Sequence, residues 1–348
     1  MRFHILLCLL VPLLGSSPAG LESLSRMQGA SVQNPVKQFP PQPSQPIRVS
    51  TNLIQVPVSV TDAEGNAVKN LQKEDFLIEE NGTPVAIAHL GEPGETRLEM
   101  VLVFDISGSV YASFDFEKQA ATSFLHKIFR PRDEVSILSI SSAPKIVLNR
   151  ATTLDVALEG LILLQPSAAA TSFYDSVVAA ARMLQEPADL QTRRVQIVLS
   201  DGEDNRSELQ LADALREVQR ADCIFYSINP AGQSIRLNKL SMRGQQGMET
   251  LAVQTGGSAF LADKLQDLAG IYGRIAAELQ AQYLLSYYAP DQKADGSFRR
   301  IAVRVPKQPE LRIRARQGYY ARKAVAKWPV CLADPGYGRF CSCTAFLR

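Results

Sequence analysis

Between Leu98 and Leu279 short apolar runs alternate with stretches of helical period, and this alternation restricts the fold more than any other feature. The first run, Met100 to Phe104, is partly β-branched and stops abruptly at Asp105-Ile106-Ser107-Gly108-Ser109. A run that short, closed by small polar residues, predicts a buried strand rather than a helix segment. A helix follows, with Phe116, Ala120, Phe124 and Ile128 on the four-spaced face expected to be buried. Strands are predicted at Val135–Ile140 and Lys145–Leu148, then helices at Leu154–Leu164 and Tyr174–Glu186, the second stopped by Pro187. Strand Val195–Ser200 ends in Asp201, and helix Leu209–Val218 leads to strand Cys223–Ile228. A shorter helix near Met248–Val253, closed by Gly256-Gly257 as a C-cap, precedes strand Ser258–Leu261 and a last helix carrying Leu265, Leu268, Tyr272, Ile275 and Leu279. This order predicts an α/β domain over 96–281, doubly wound around a mostly parallel sheet.

The flanks have β character. In 47–95, Val49, Leu53, Val56, Val58 and Val60 alternate, a turn falls at Asp62–Asn66, and Asn81-Gly82 after Phe76–Glu80 is a hairpin signal. In 282–322, Tyr283–Tyr288, Phe298–Val305 and Leu311–Ala315 alternate or run apolar. Each flank is too small for a core of its own, so the two are expected to form one smaller β-sandwich with the α/β domain inserted between its halves. Arg300, Arg304, Arg312, Arg314 and Arg316 share one face of the last two strands, expected to be a solvated face that blocks edge pairing.

The N-terminus has the form of an export signal. Arg2 precedes an apolar run from Ile5 to Leu14, too short for a stable span, and Ser17-Pro18-Ala19 offers a cleavage point. Residues 1–19 are thus read as a signal peptide and the Pro-, Ser- and Gln-rich 20–46 as a linker. Cleavage near Ala19 makes the mature protein secreted or periplasmic, with no transmembrane segment afterwards. Cys223 sits in a core strand as a free thiol, and Cys331, Cys341 and Cys343 cluster in the tail 323–348 without a histidine, so no zinc site is expected there. At 348 residues, 46% hydrophobic, 21% charged and net +2, the chain is an ordinary globular protein and not a dedicated nucleic-acid binder. Asn81-Gly82-Thr83 and Asn205-Arg206-Ser207 are read as chance triplets.

Three loops deliver oxygen donors to one end of the predicted sheet. Asp105, Ser107 and Ser109 follow the first strand at i, i+2 and i+4; Thr171 lies just before a helix in AAATSFYDSV; Asp201 ends a strand in VQIVLSDGEDN. In open α/β sheets ligands bind beyond the carboxyl ends of the strands. Carboxylates and hydroxyls converging there suit one hard divalent cation, Mg2+ or else Mn2+ or Ca2+. Taken singly, Thr171 is an N-cap and Asp201 a turn residue; Glu203 and Asp204 are read as loop-bonding residues.

The D-x-S-x-S of 105–109, Thr171 before F-Y-D and the strand-end Asp201 of S-D-G resemble the metal-ion-dependent adhesion site of von Willebrand factor A-type domains. With T-G-G at 255–257, the resemblance covers Leu98–Leu279. The flanks, VPVSVTDAEGNAVKNLQKEDFLIEENG and QYLLSYYAPDQKADGSFRRIAVRV with ARQGYYA, resemble secreted bacterial von Willebrand A-related proteins best known from Acidobacteria. The resemblance implies metal-assisted binding of a protein partner that presents Asp or Glu, and no enzymatic activity. Two other classes stand beside it. One is a structural envelope protein whose metal site is permanently occupied. The other is a metal-dependent hydrolase, against which Ser107 stands at i+2, where a phosphatase of the haloacid-dehalogenase type needs a second carboxylate. There is also no G-x-S-x-G elbow.

Overall fold

The computed structural model describes residues 52–91, 96–108, 113–167, 169–185, 192–232, 238–291 and 293–321. The predicted signal, linker and tail, and Ser109 with them, lie outside the described residues, and so does Pro187. The chain runs β1 (Leu53–Thr61), β2 (Leu77–Glu80), β3 (Thr83–Val85), β4 (Ile87–Gly91), β5 (Arg97–Asp105), α1 (Phe114–Ile128), β6 (Glu134–Ile140), β7 (Lys145–Ala151), α2 (Leu154–Ile162) and α3 (Phe173–Met183). It continues with β8 (Thr192–Leu199), α4 (Leu211–Arg220), β9 (Cys223–Asn229), α5 (Lys239–Thr255), β10 (Ala259–Leu261), α6 (Asp267–Ala281), β11 (Tyr283–Tyr288), β12 (Phe298–Arg304), β13 (Arg312–Ala315) and β14 (Gly318–Tyr320). No helix of the described residues is long and apolar enough to cross a membrane.

The central sheet has the order β10-β9-β8-β5-β6-β7, parallel throughout except where β7 turns back on β6. A strand buried on both faces sends alternate residues to opposite cores, which is why β5 is apolar without a break. Leu98, Met100, Leu102 and Phe104 pack on α1, α2 and α6, while Val101 and Val103 pack on α3, α4 and α5. Each such side chain contributes about 2 kcal/mol by leaving water. The sheet is doubly wound, with helices on both faces.

The β strands of the two ends form two further sheets, β13-β1-β11-β4 and β14-β12-β2-β3, and each draws strands from both ends of the chain. One apolar cluster joins them, with Val56, Val58 and Val60 from β1, Ile78 from β2, Leu285 and Tyr287 from β11, and Ile301 from β12. The Asn81-Gly82 hairpin has both residues at positive φ (50° and 80°), the geometry a two-residue loop requires.

Three local expectations are corrected. Phe116 is 46% exposed; α1 instead turns Phe114, Glu117, Ala121 and Leu125 inward beside Ala120, Phe124 and Ile128. Helix α5 has 17 residues, not the short segment near Met248–Val253, because Gly244 and Gly247 lie inside it at close contacts with other elements. The arginine row is not a plain solvated face. Arg314 Nη2 donates to Glu278 Oε2 of α6 at 2.6 Å, and Arg316 is buried, bound to Asp222 and to the carbonyl of Gln55. Glu278 Oε1 also accepts from Ser59 Oγ (2.8 Å) and Tyr226 OH (2.7 Å), so one carboxylate ties β1, β9 and β13 to α6.

Candidate metal centre

β5 keeps its parallel register with β6 up to Asp105 opposite Ile140, and beyond that point the chain leaves the sheet. The Asp105 side chain is fully buried. Its Oδ1 accepts from Ser107 N at 3.0 Å, turning the loop back over the strand end, and its Oδ2 accepts from Ser200 Oγ at 2.6 Å. Ser200 Oγ in turn accepts from Gly202 N at 2.9 Å. The last residue of β5 is thereby locked to the residue just past β8, a serine for which the spacing of the motif provides no signal.

Asp201 follows directly, with Oδ1 accepting from Glu203 N at 3.0 Å and its carbonyl held by Asn229 Nδ2 of β9 at 3.4 Å. Thr171 is pinned to the same loop: its N–H donates to Asn205 Oδ1 at 2.9 Å, and Asn205 N donates to its carbonyl at 3.1 Å. Asp204 Oδ1 accepts from Phe173 N at 3.0 Å and starts α3. Ser172 donates from N and Oγ to the carbonyl of Ser141, just past β6. Asp105, Ser107, Thr171 and Asp201 are thus all buried at the carboxyl edge of one sheet, on loops bonded to one another. Ser109 lies outside the described residues. Asn205, a loop pin in the structure, stands in the sequence only as part of a glycosylation-like triplet.

The electrostatics of this edge are anionic. Burial raises Asp105 from its ordinary range to about 6, and the charge of Asp201 pushes the same way; the bonds from Ser107 and Ser200 only partly offset this. Two carboxylates from neighbouring strand ends, with hydroxyls beside them, match the oxygen donor set of a hard divalent cation. Among the described residues no three His, Cys, Asp or Glu side chains converge as a cation site, so neutral hydroxyls have to complete any shell built here.

Helix α5 clamps the Asp201 loop from the side. Gly202, at φ +74°, rests on Gly244, where an added Cβ would stand 2.5 Å from the Gly202 carbonyl carbon. Glu203 Oε1 accepts from Asn238 Nδ2 (3.0 Å) and from Ser241 Oγ, and Asn229 Nδ2 donates to Gln245 Oε1 (3.0 Å). Backbone meets backbone at the glycine pair, so no side chain can give way. Gly244→Ala is therefore expected to destabilise the protein by about 1–3 kcal/mol in denaturant unfolding, despite the better helix propensity of Ala. A variant as stable as wild type would show that the loop moves freely on α5.

A doubly wound α/β domain with a buried oxygen cluster at its carboxyl edge is the class that fold and site define. Residues 100–203 match the family model of the von Willebrand factor type A domain. The matched stretch runs from β5 to the loop after β8, within the central sheet. Among solved structures it is similar to BatB from Bacteroides thetaiotaomicron, at 16% identity and TM-score 0.42 over 51% of this chain and 97% of that one. It is also similar to a von Willebrand factor type A protein from Catenulispora acidiphila, at 13% identity and TM-score 0.45 over 67% of this chain and 51% of that one. A third is proximal thread matrix protein 1 of the mussel byssus with a zinc-occupied MIDAS motif, at 13% identity and TM-score 0.47 over 58% and 50%. No curated protein matches the sequence.

Proposed function

We propose that Asp105, Ser107, Ser109, Thr171 and Asp201 hold one divalent cation, Mg2+ or else Mn2+ or Ca2+, and that the protein is an exported binding module for a partner carboxylate. The observation that carries this reading is the pair of buried carboxylates, Asp105 and Asp201, whose loops are bonded to each other and to Thr171 at the sheet edge where this fold binds ligands. A cation bound there supplies a Lewis-acidic position for an Asp or Glu of a protein partner. The chain's own contribution is to orient the donors. Ser200 fixes the Asp105 carboxylate, Asn205 fixes the Thr171 backbone, and Glu203 anchors the Asp201 loop to α5. Neutral hydroxyl donors leave more positive charge on the ion than a third carboxylate ligand does.

The reading is of a binding module and not of an enzyme, because Ser107 occupies the place a second catalytic carboxylate would need. Export rests on the N-terminal signal pattern alone. A pull-down from envelope extract in Mg2+ against chelator, with calorimetry of Mg2+ and Mn2+ on the purified protein, tests both halves. Binding of the ion together with chelator-sensitive retention of one protein, competed by an Asp-containing peptide, supports the reading. Absence of ion binding sinks it.

A further inference from the structure

Glu117 breaks the pattern of its own helix. It sits in the first turn of α1 beside Phe116, and the helix leaves the phenyl ring 46% exposed while the carboxylate has 0% exposure. A helix that exposes an aromatic ring in order to bury an acid gives up apolar burial, and such local conflicts concentrate at functional sites. Glu117 Oε1 accepts from Ser113 Oγ at 2.5 Å; Oε2, equally buried, has no hydrogen-bond partner. The hydroxyl of Tyr272, buried and unpartnered as well, lies within the reach of its charge. A first-turn acid that only served the helix dipole would work as well in solvent.

The charges that bear on Glu117 are those of Asp105 and Asp201, both negative. Burial and these two neighbours together raise it to about 8. Without an ion the enclosed acid therefore holds its proton near neutral pH; it stands in the first turn of α1, the helix that follows the loop at the carboxyl end of β5, and a cation at the candidate site would draw that proton off. Glu117 is not a ligand, since three carboxylates do not converge closely among the described residues. Its effect is that of a charge behind the donors that develops when the ion binds.

We propose that Glu117 belongs to the metal centre as an outer carboxylate, whose negative charge strengthens cation binding and weakens capture of a partner carboxylate by the loaded site. This rests on the cation reading given above. Two aspartates balance a divalent ion; a third carboxylate leaves the assembly net negative, holding the ion more firmly and repelling an incoming anion. The position thus trades ion affinity against ligand affinity.

Glu117→Gln separates this from a packing role, because the amide oxygen still accepts from Ser113 while the charge is gone. With Mn2+ as probe, the dissociation constant of E117Q is expected to rise about tenfold or more over wild type. Acetate is expected to bind the Mn2+-loaded variant more tightly than loaded wild type. The metal-free variant should melt at or above the wild-type temperature, since it no longer encloses an uncompensated acid. Glu117→Asp, which keeps the charge, should recover most of the Mn2+ affinity. Equal Mn2+ affinity in wild type and E117Q overturns the proposal, and so does weaker Mn2+ binding without tighter acetate binding. Wild-type protein that binds no Mn2+ removes the cation reading itself, a distinct failure that takes this inference with it.

Discussion

Asp201→Ala is expected to lose most of the thermal stabilisation that Mg2+ or Mn2+ gives the wild-type protein. A ligand that binds only the folded state stabilises it by mass action, about 2.7 kcal/mol when its concentration is a hundredfold above the dissociation constant. For a domain of this size that corresponds to roughly 5–10 °C in melting temperature. Asp201 is one of the two buried aspartates of the proposed ligand set, and an alanine there leaves that set with Asp105 alone as a carboxylate. The β8 core is untouched, because Asp201 stands beyond Leu199, the last residue of the strand. Thr171→Ala removes a neutral hydroxyl and should lower the metal-dependent shift less, while its backbone stays held by Asn205. Melting curves and calorimetry with and without Mg2+ or Mn2+ decide the matter. Equal affinity in wild type and Asp201→Ala would reduce the loop carboxylates to ordinary turn residues.

Ending the chain at Ala281 is expected to unfold the N-terminal β segment altogether while leaving the central sheet assembled. The partners of β1 are β11 and β13, and β2 lies between β12 and β3, so the cut removes both neighbours of β1 and one of β2. It also removes Tyr283, Leu285, Tyr287, Ile301 and Tyr319 from the shared apolar cluster. A remnant of one hairpin and two lone strands, β1 and β4, cannot hold a fold in water. The central cores, by contrast, draw their side chains from β5–β10 and α1–α6. Limited proteolysis should therefore cut within 52–91 of the truncated protein and spare 97–281. The split sandwich is wrong if a fragment of 20–95 is folded and monomeric on its own while 95–282 also folds.

Much of the site was legible because it rests on strand ends. An apolar run that stops at an aspartate marks a carboxyl edge, and both Asp105 and Asp201 stand where such runs stop. What could not be read locally were the partners that orient them. Ser200 looks like a strand residue, and its bond to Asp105 depends on β8 lying next to β5, a pairing 95 residues apart in sequence. Gly244 and Gly247 look like helix breakers until their close contacts with Gly202 and Tyr174 are seen. The inward turn of Glu117 runs against the four-spaced apolar pattern, because that pattern counts periodicity and carries no information on a polar side chain that finds its partner, Ser113, inside.

By itself, the sequence determined the doubly wound alternation, the two β-rich flanks and the set of strand-end and loop oxygens. Each of these follows from hydrophobic period and from the chemistry of single residues, which are local properties. The tertiary structure decided how the flanks interleave into two mixed sheets and that Arg314 and Arg316 dock on Glu278 and Asp222. It also decided that α5 holds the Asp201 loop and that Glu117, not Phe116, faces inward. Those features depend on which surfaces meet across long stretches of chain, where burial and charge compensation outweigh local preference.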